Sequence, residues 1–557
     1  MKFSRWPAVV ILAGLVVGAW VVDQDHERDQ SEAVDAITPL EAQGFLPVSA
    51  PEDALTSTWY CGGGTATDGG RADTTIIVAN ATDRALSGTL TIFPSIPSQV
   101  VLQTDPAETT DPSTTTTTTA PPSTTDGSDD GPDTTTTTAT PSSTTTTTPP
   151  ALTERPVAVD LEVPAQDRIA VRLADEVDAE YAAALVELAG GAVSVEQRVD
   201  GANGADVSPC TSQAADSWYF ADGRTTADSV ETLAFFNPFP DPAVVDVTFR
   251  TEEDLRTPVE FEAYAVPAQS LVVEDIGTLV TRRDHVSVSV EARSGRLVVS
   301  RLLDVDGSEG PRGLDVASGA PRRATTWYFP DGIVEEGLRE TYVVYNPGDT
   351  AAEVDLYIEP DEVDRFGAIE PFSLTIPPEG YQEVAVQDEE RIGTAIGAAE
   401  GEPVLRHGAR VVSVNDVPVV VERVLEGDDD GDRPGFDLMF GAPLLMQEAV
   451  LAASSTDETV VVANPSGSTP VLVTFRSLDG GTLVESAEAT DLEVPPAGRL
   501  VVNVGELGIG SDLPLIIEAD GPVTIERRVV IGDPADSSGA IAVPLAGTVS
   551  EPAAPFG

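Results

Sequence analysis

The chain has 557 residues, 93 of them acidic against 31 basic, for a formal charge of −62. It is too long for one core and too acidic to bind nucleic acid or an anionic membrane surface by ordinary charge neutralisation. Lys2 is the only lysine, which removes a Lys–Asn isopeptide staple from the repeats, Schiff-base catalysis and a phosphate-loop lysine.

Lys2 and Arg5 precede an apolar run from Trp6 to Val22, and an acidic stretch from Asp23 to Asp35 follows it. That asymmetry predicts a single-pass segment with its N-terminus inside and the bulk of the chain outside. At about 1.5 Å per residue the run reaches roughly 25 Å, the short end for spanning a bilayer. Cleavage near Ala19, giving a secreted protein, is the alternative; the run continues through Trp20-Val21-Val22, which favours retention. Residues 23–57 read as an acidic spacer, and the C-terminal Glu551–Gly557 has no hydrophobic tail, so attachment is expected at the N-terminus.

From residue 58 one pattern is written four times: an aromatic pair, an Asn, an apolar-Pro step and an Arg-bearing strand. Its landmarks are Trp59-Tyr60, Asn80, Val163-Pro164 and Arg198, then Trp218-Tyr219, Asn237, Val266-Pro267 and Arg301. Trp327-Tyr328, Asn346, Ile376-Pro377 and Arg423 follow; the last copy keeps Asn464, Val494-Pro495 and Arg527 but lacks the aromatic pair. Asn to Pro is 30, 31 and 31 residues in copies two to four and 84 in copy one, a regularity that marks packed modules with one insert. The units read as residues 58–212, 213–321, 322–444 and 445–549, with a tail at 550–557.

Short apolar-polar alternations separated by turn residues predict an all-β chain of tandem immunoglobulin-like antiparallel β-sandwiches, strung as separate beads. Propeller blades of this size would be oversized. Beside the N-terminal transmembrane helix, Ala174 to Ala189 is the best helix candidate, with Val177, Tyr181, Leu185 and Leu188 roughly on one face. The insert at about 104–150 holds three threonine runs among prolines and aspartates, a composition expected to be disordered.

Cys61 and Cys210, the only cysteines, flank copy one and predict a disulfide outside the cytoplasm. Closing so long a loop stabilises by about 4–5 kcal/mol on the chain-entropy model. Trp59, Trp218 and Trp327 could stack on sugar, but core packing is the stronger expectation. Each repeated Asn is expected to bond backbone at a turn. Asp428, Asp430 and Asp432 are weak calcium candidates without an EF-hand glycine; solvated hairpin acids explain them better. His285 and His407 each lie 16 residues before the repeat arginine, and so read as equivalent positions. No nucleophile elbow, zinc spacing or Gly-rich phosphate loop is present, no cofactor is expected and the chain reads as no enzyme, although a glycosidase-type carboxylate pair is not visible to sequence.

The strands Ser217-Trp218-Tyr219-Phe220-Ala221-Asp222-Gly223 and Trp327-Tyr328-Phe329-Pro330-Asp331-Gly332, the Trp-Tyr-Cys-Gly-Gly start and the N-terminal run carry a likeness over residues 1–549. The chain is similar to an actinobacterial, membrane-anchored extracytoplasmic family, domain of unknown function 5719. The resemblance implies an anchored protein on the secreted side, with no established activity and no catalytic residues to carry over. The expected role is a noncatalytic scaffold, adhesion or binding protein of the cell envelope, with cell-wall polysaccharide or other envelope proteins as partners. The alternative is an envelope carbohydrate-binding or carbohydrate-active accessory protein.

Overall fold

A computed structural model describes residues 44–98, 155–399, 401–428, 431–453, 455 and 457–550. The apolar run at 6–22, most of the spacer, the insert at 104–150 and Asp430 lie outside them. Among the described residues no helix is long and apolar enough to cross a membrane.

Copy three shows how alternation becomes structure. In Ala352–Pro360, Ala352, Val354, Leu356 and Ile358 are buried while Glu353 and Glu359 face water, the period-two pattern of a half-buried strand. One antiparallel sheet orders its first strand (Thr326–Val334), sixth (Leu405–Ser413), third (Ala352–Pro360) and fourth (Phe372–Ile376). The other orders the fifth (Gly380–Ala385), second (Leu338–Asn346), seventh (Val420–Gly427) and eighth (Gly435–Phe440). Side chains from both sheets share one core. Copies one, two and four repeat this pairing. In copy four the single strand Leu515–Ile531 serves as sixth and seventh. An immunoglobulin domain pairs its strands as ABED and CFG; here the first strand pairs with the sixth, and the second with the fifth and seventh.

Two expectations are corrected. Ala179–Leu188 is the sixth strand of copy one, not a helix, and pairs on both sides. Its alanines 182, 183 and 184 are buried, so pairing to two neighbours overrides the helix preference of alanine. Nor are the copies separate beads. Their eighth strands, Ala205–Pro209, Gly313–Ser318, Gly435–Phe440 and Asp536–Ile541, pack in cyclic order, the last against the first, and so line an axis. Copies one and two also share a short parallel pairing of Ser95 and Ile96 with Leu271 and Val272. The segment entering copy one helps close the ring. Ser49 bridges to Leu545 in copy four, while its hydroxyl accepts from Val193 N at 2.9 Å in copy one.

The Asn-to-Pro spacing has a direct cause. Each repeated Asn ends a second strand and its Nδ2 donates to the carbonyl of the Pro after the fourth, at 2.9 Å for Asn80–Pro164, 3.0 Å for Asn237–Pro267, 3.2 Å for Asn346–Pro377 and 3.3 Å for Asn464–Pro495. Each Oδ1 accepts from the N–H two residues on. The insert of copy one lies between the third strand (Leu86–Ile96) and the fourth (Val157–Val163), so the latch survives it. Asn346 is fully buried. Asn346→Ala leaves buried carbonyls without donors, and urea unfolding should show a loss of about 2–4 kcal/mol.

Trp59, Trp218 and Trp327 are core residues, each no more than 1% exposed. Trp218 and Trp327 donate Nε1 to Leu297 O at 3.0 Å and Val419 O at 3.1 Å. Cys61 and Cys210 are disulfide-bonded; Cys210 directly follows the last strand of copy one, Ala205–Pro209. Backbone pairs Tyr60–Thr211, Tyr219–Ala320 and Tyr328–Ala442 set the register. That register places Cys61 where copies two and three have Phe220 and Phe329, and Cys210 where they have Gly319 and Gly441. The phenylalanine ring there lies so close that a Cβ on Gly319 or Gly441 would meet it at 2.8 or 2.7 Å. The disulfide thus replaces a ring-on-glycine contact. A Cys61→Phe, Cys210→Gly variant should melt above a Cys61→Ala, Cys210→Ala variant in calorimetry, because only the former refills the site.

Candidate functional site at the ring axis and its seams

Where copies meet, charge is buried. The seventh strands carry Glu196-Gln197, Ser300-Arg301, Glu422-Arg423 and Glu526-Arg527 at matching positions. Consecutive residues of a strand face opposite sides, so each Glu reaches back one copy and each Arg forward. Glu422 accepts from the N–H groups of Ala221 and Asp222 at 2.7 Å and lies 3.0 Å from Arg301 Nη2. Glu526 accepts from Asp331 N at 3.0 Å and pairs with Arg423 at 2.6 Å. Glu196 accepts from Ala452 N at 2.8 Å and Ala453 N at 3.1 Å and pairs with Arg527 at 2.6 Å. The fourth copy is thereby fastened to the first. All three arginines are at most 1% exposed.

The seam between copies one and two breaks the pattern in concert. Gln197 stands for the arginine, Ser300 for the glutamate, and Gly62-Gly63 for Ala221-Asp222. Thr74 also stands where copies two to four have Glu231, Glu340 and Glu458, each six residues before the repeated Asn. At these positions one seam is therefore neutral and three are ionic; the ion pair that crosses the neutral one, Arg71–Asp304, lies elsewhere. This corrects the placement of Arg198 among the repeat arginines: it lies one residue beyond the position and pairs with Asp200, itself 45% exposed. In the sequence Glu196, Glu422 and Glu526 stand out as landmarks beside the repeat arginines, but their pairing between copies does not, although an adjacent Glu-Arg inside an apolar strand is a sign of it.

Around the axis the hydrogen bonds also run in a circle. Asp206 accepts from Val316 N at 2.9 Å, Asp315 from Leu438 N at 3.2 Å, Asp437 from Gly539 N at 2.9 Å, and Ser538 from Val207 N at 3.1 Å. Each receives from the next copy, and the fourth returns to the first. Asp536 accepts from Leu314 N at 2.8 Å, Phe436 N at 3.0 Å and Ala205 N at 3.3 Å, one residue from each other copy. Gly204 and Gly435 leave it room: a Cβ on either would overlap its carboxylate. Burial pushes Asp315 up to about 7 against the pull of Arg301, and Asp536 up to about 8. Burial likewise raises Asp206, Asp437, Glu231, Glu422 and Glu526, and lifts Glu458 to about 8. Beyond the Asp ring a cavity of about 110 Å³ holds apolar walls that include Met439 and Phe440, under Phe45, Leu46 and Pro47 of the entering segment.

A Ser–His–Asp chain lies between copies two and three. Ser287 Oγ is 2.7 Å from His285 Nε2, and His285 Nδ1 is 2.7 Å from Asp222 Oδ1. The connectivity is that of a hydrolytic triad, but the surroundings are not. Ser287 is fully buried, its hydroxyl donates to Ala221 O at 2.7 Å, and Tyr381 of copy three stacks on the imidazole with ring centroids 3.4 Å apart. These contacts fasten two copies and leave a substrate no approach. His285 and His407 are not equivalent: Val290 opposes Trp218 and Val411 opposes Trp327, so His407 aligns with Val286. One step along a strand reverses the face. His407 turns inward, 3.2 Å from Glu340.

Asp428 and Asp432 are exposed, and among the described residues no group of three or more His, Cys, Asp or Glu is placed to hold a metal ion.

Fold and site together define a closed four-module β ring held by buried ion pairs and an axial carboxylate circle. Residues 165–371 match the model of a family of unknown function, DUF5719, the family whose likeness the sequence motifs carry. The match runs from the end of the fourth strand of copy one, through copy two, into copy three. No curated protein matches the chain.

Proposed function

We propose that the chain is a noncatalytic scaffold or binding protein of a bacterial cell envelope, held by residues 6–22 with the ring outside the membrane. Its modules are immunoglobulin-like in the broad sense of two packed antiparallel sheets. The observation that carries the reading is the ring itself. Glu196, Glu422 and Glu526 with Arg301, Arg423 and Arg527, and His285 against Tyr381, groups a hydrolase would turn toward substrate, join one copy to the next. The buried Cys61–Cys210 bond supports a compartment that permits disulfides. With most basic side chains drawn into ion pairs, the acidic surplus is left to the surface and favours solubility or cationic partners.

The experiment is to fractionate cells expressing the full chain, treat them intact with protease, and label the denatured protein with a thiol reagent before and after reduction. The reading predicts membrane-bound protein, digested from outside, with both cysteines labelled only after reduction. Cytosolic recovery with free thiols contradicts it. The carbohydrate reading relied on Trp218 and Trp327 as stacking platforms, and both are buried in cores. Their replacement should unfold the modules before it affects any glycan-array signal.

A further inference from the structure

Asp222, Asp331 and Ala453 occupy one repeated position, since the N–H of each donates to the glutamate of the next copy. Between copies three and four the Asp331 carboxylate faces three guanidinium groups: Arg433 at 3.0 Å, Arg528 at 3.0 Å and Arg499 at 3.6 Å. Burial opposes its charge, but these arginines outweigh burial and hold Asp331 far below the usual carboxylate range.

Between copies four and one two of the three cations are kept, Pro534 stands in the place of Arg433, and the carboxylate is deleted. Arg168 takes the place of Arg499, opposite Ala79 as Arg499 is opposite Ala463. Arg198 takes the place of Arg528, opposite Thr75 as Arg528 is opposite Thr459. Arg527 donates to Ala453 O at 2.8 Å, as Arg423 does to Asp331 O. Where the Asp331 side chain would stand there is a cavity of about 210 Å³ beside Ala453, lined by Arg168, Arg198, Arg527, Thr75, Ser455 and the acid Asp512, with an apolar wall that includes Val529.

We propose that this cavity holds the carboxylate of a small organic acid, which takes the position that Asp331 fills from within the chain at the neighbouring seam. Arg168 and Arg198 already meet Asp512 and Asp200, but those partners are 62% and 45% exposed, where screening leaves little pairing energy. Arg499 shows that both can be served at once: it keeps Asp361 at 3.0 Å while facing Asp331. A guanidinium has five N–H donors to share. The cavity is roomier than a carboxylate, and Thr75 and Ser455 offer hydroxyls to polar groups on the rest of the ligand.

The test is a thermal melt of the full chain titrated with sodium acetate, with sodium chloride and with sodium phosphate at matched ionic strength and pH. A site of this kind gives a saturable rise of a few degrees with acetate that chloride does not reproduce. Ala453→Asp should raise the melting temperature without ligand and abolish the acetate response. Arg198→Gln, at a half-exposed position, should fold and lose most of that response. Equal curves for acetate and chloride, or an Ala453→Asp chain that still responds to acetate, overturn the proposal. A response to phosphate that exceeds that to acetate overturns the carboxylate assignment.

Discussion

Ser300→Glu is expected to destabilise the ring by about 3–5 kcal/mol at neutral pH, and Gln197→Arg in the same chain to recover most of that loss. The seam between copies one and two suits these variants because the Glu and Arg positions of the seventh strands are uncharged there; its ion pair, Arg71–Asp304 at 2.8 Å, lies elsewhere, with Arg71 41% exposed. Ser300 and Gln197 are no more than 1% exposed. A lone glutamate there would be a buried carboxylate without a guanidinium, although Gly62 and Gly63 present backbone where Ala221 and Asp222 cap Glu422. Adding the arginine rebuilds the arrangement of Arg301 and Glu422. Gln197→Arg alone should cost less than Ser300→Glu alone, because Asp206 stands where Asp315 meets Arg301 at 3.1 Å. The check is a double-mutant cycle by urea unfolding. Coupling of roughly 2 kcal/mol or more shows that the two copies present the same paired surface as the others; additive losses deny it.

The second large effect concerns pH. Carboxyl groups raised by burial bind protons in the native state that the unfolded chain has released, its own values lying near 4. Their contribution to stability is complete below about pH 4 and is lost as pH climbs through the folded-state values, about 7 for Asp315 and about 8 for Asp536 and Glu458. Asp331 and Glu340 act in the opposite sense: their acidity is strengthened, and their contribution disappears on acidification below about pH 4. The ring should therefore be most stable in mildly acidic solution and weaken by several kcal/mol between pH 5 and pH 9. Each tenfold change in acidity of a fully buried group is worth about 1.4 kcal/mol. Asp437→Asn, which keeps an acceptor for Gly539 N and cannot ionise, should be near neutral at pH 5 and stabilising at pH 9. Calorimetric melts across that range decide it; a stability that rises steadily to pH 9 would contradict the buried axis.

Much of the module was legible in the sequence, for a local reason. Alternation in Ala352–Pro360 reports one buried face, and a latch such as Asn346–Pro377 demands a fixed chain length between its ends. Core tryptophans and a flanking cysteine pair are likewise properties of one sandwich. Ring closure is not local. Nothing in the order of residues says that Glu196 must meet Arg527, 331 positions later, and two adjacent charges in a strand look alike whether they face water or another copy. The strand at Ala179–Leu188 failed for the same reason, since its partners lie outside the window that suggested a helix. Ala453 shows the converse: it is informative only once the repeat has been aligned by its hydrogen bonds.

The ring closes where the first and fourth copies touch. Arg168 of copy one and Asp512 of copy four are 2.8 Å apart, and Lys2 is the only lysine of the chain. In an Arg168→Lys chain, carbodiimide treatment of the monomeric fraction followed by peptide mapping should return an amide cross-link between the introduced amine and Asp512. Its absence, with that amine joined only to acids of copy one, would mean an open string of modules and no ring.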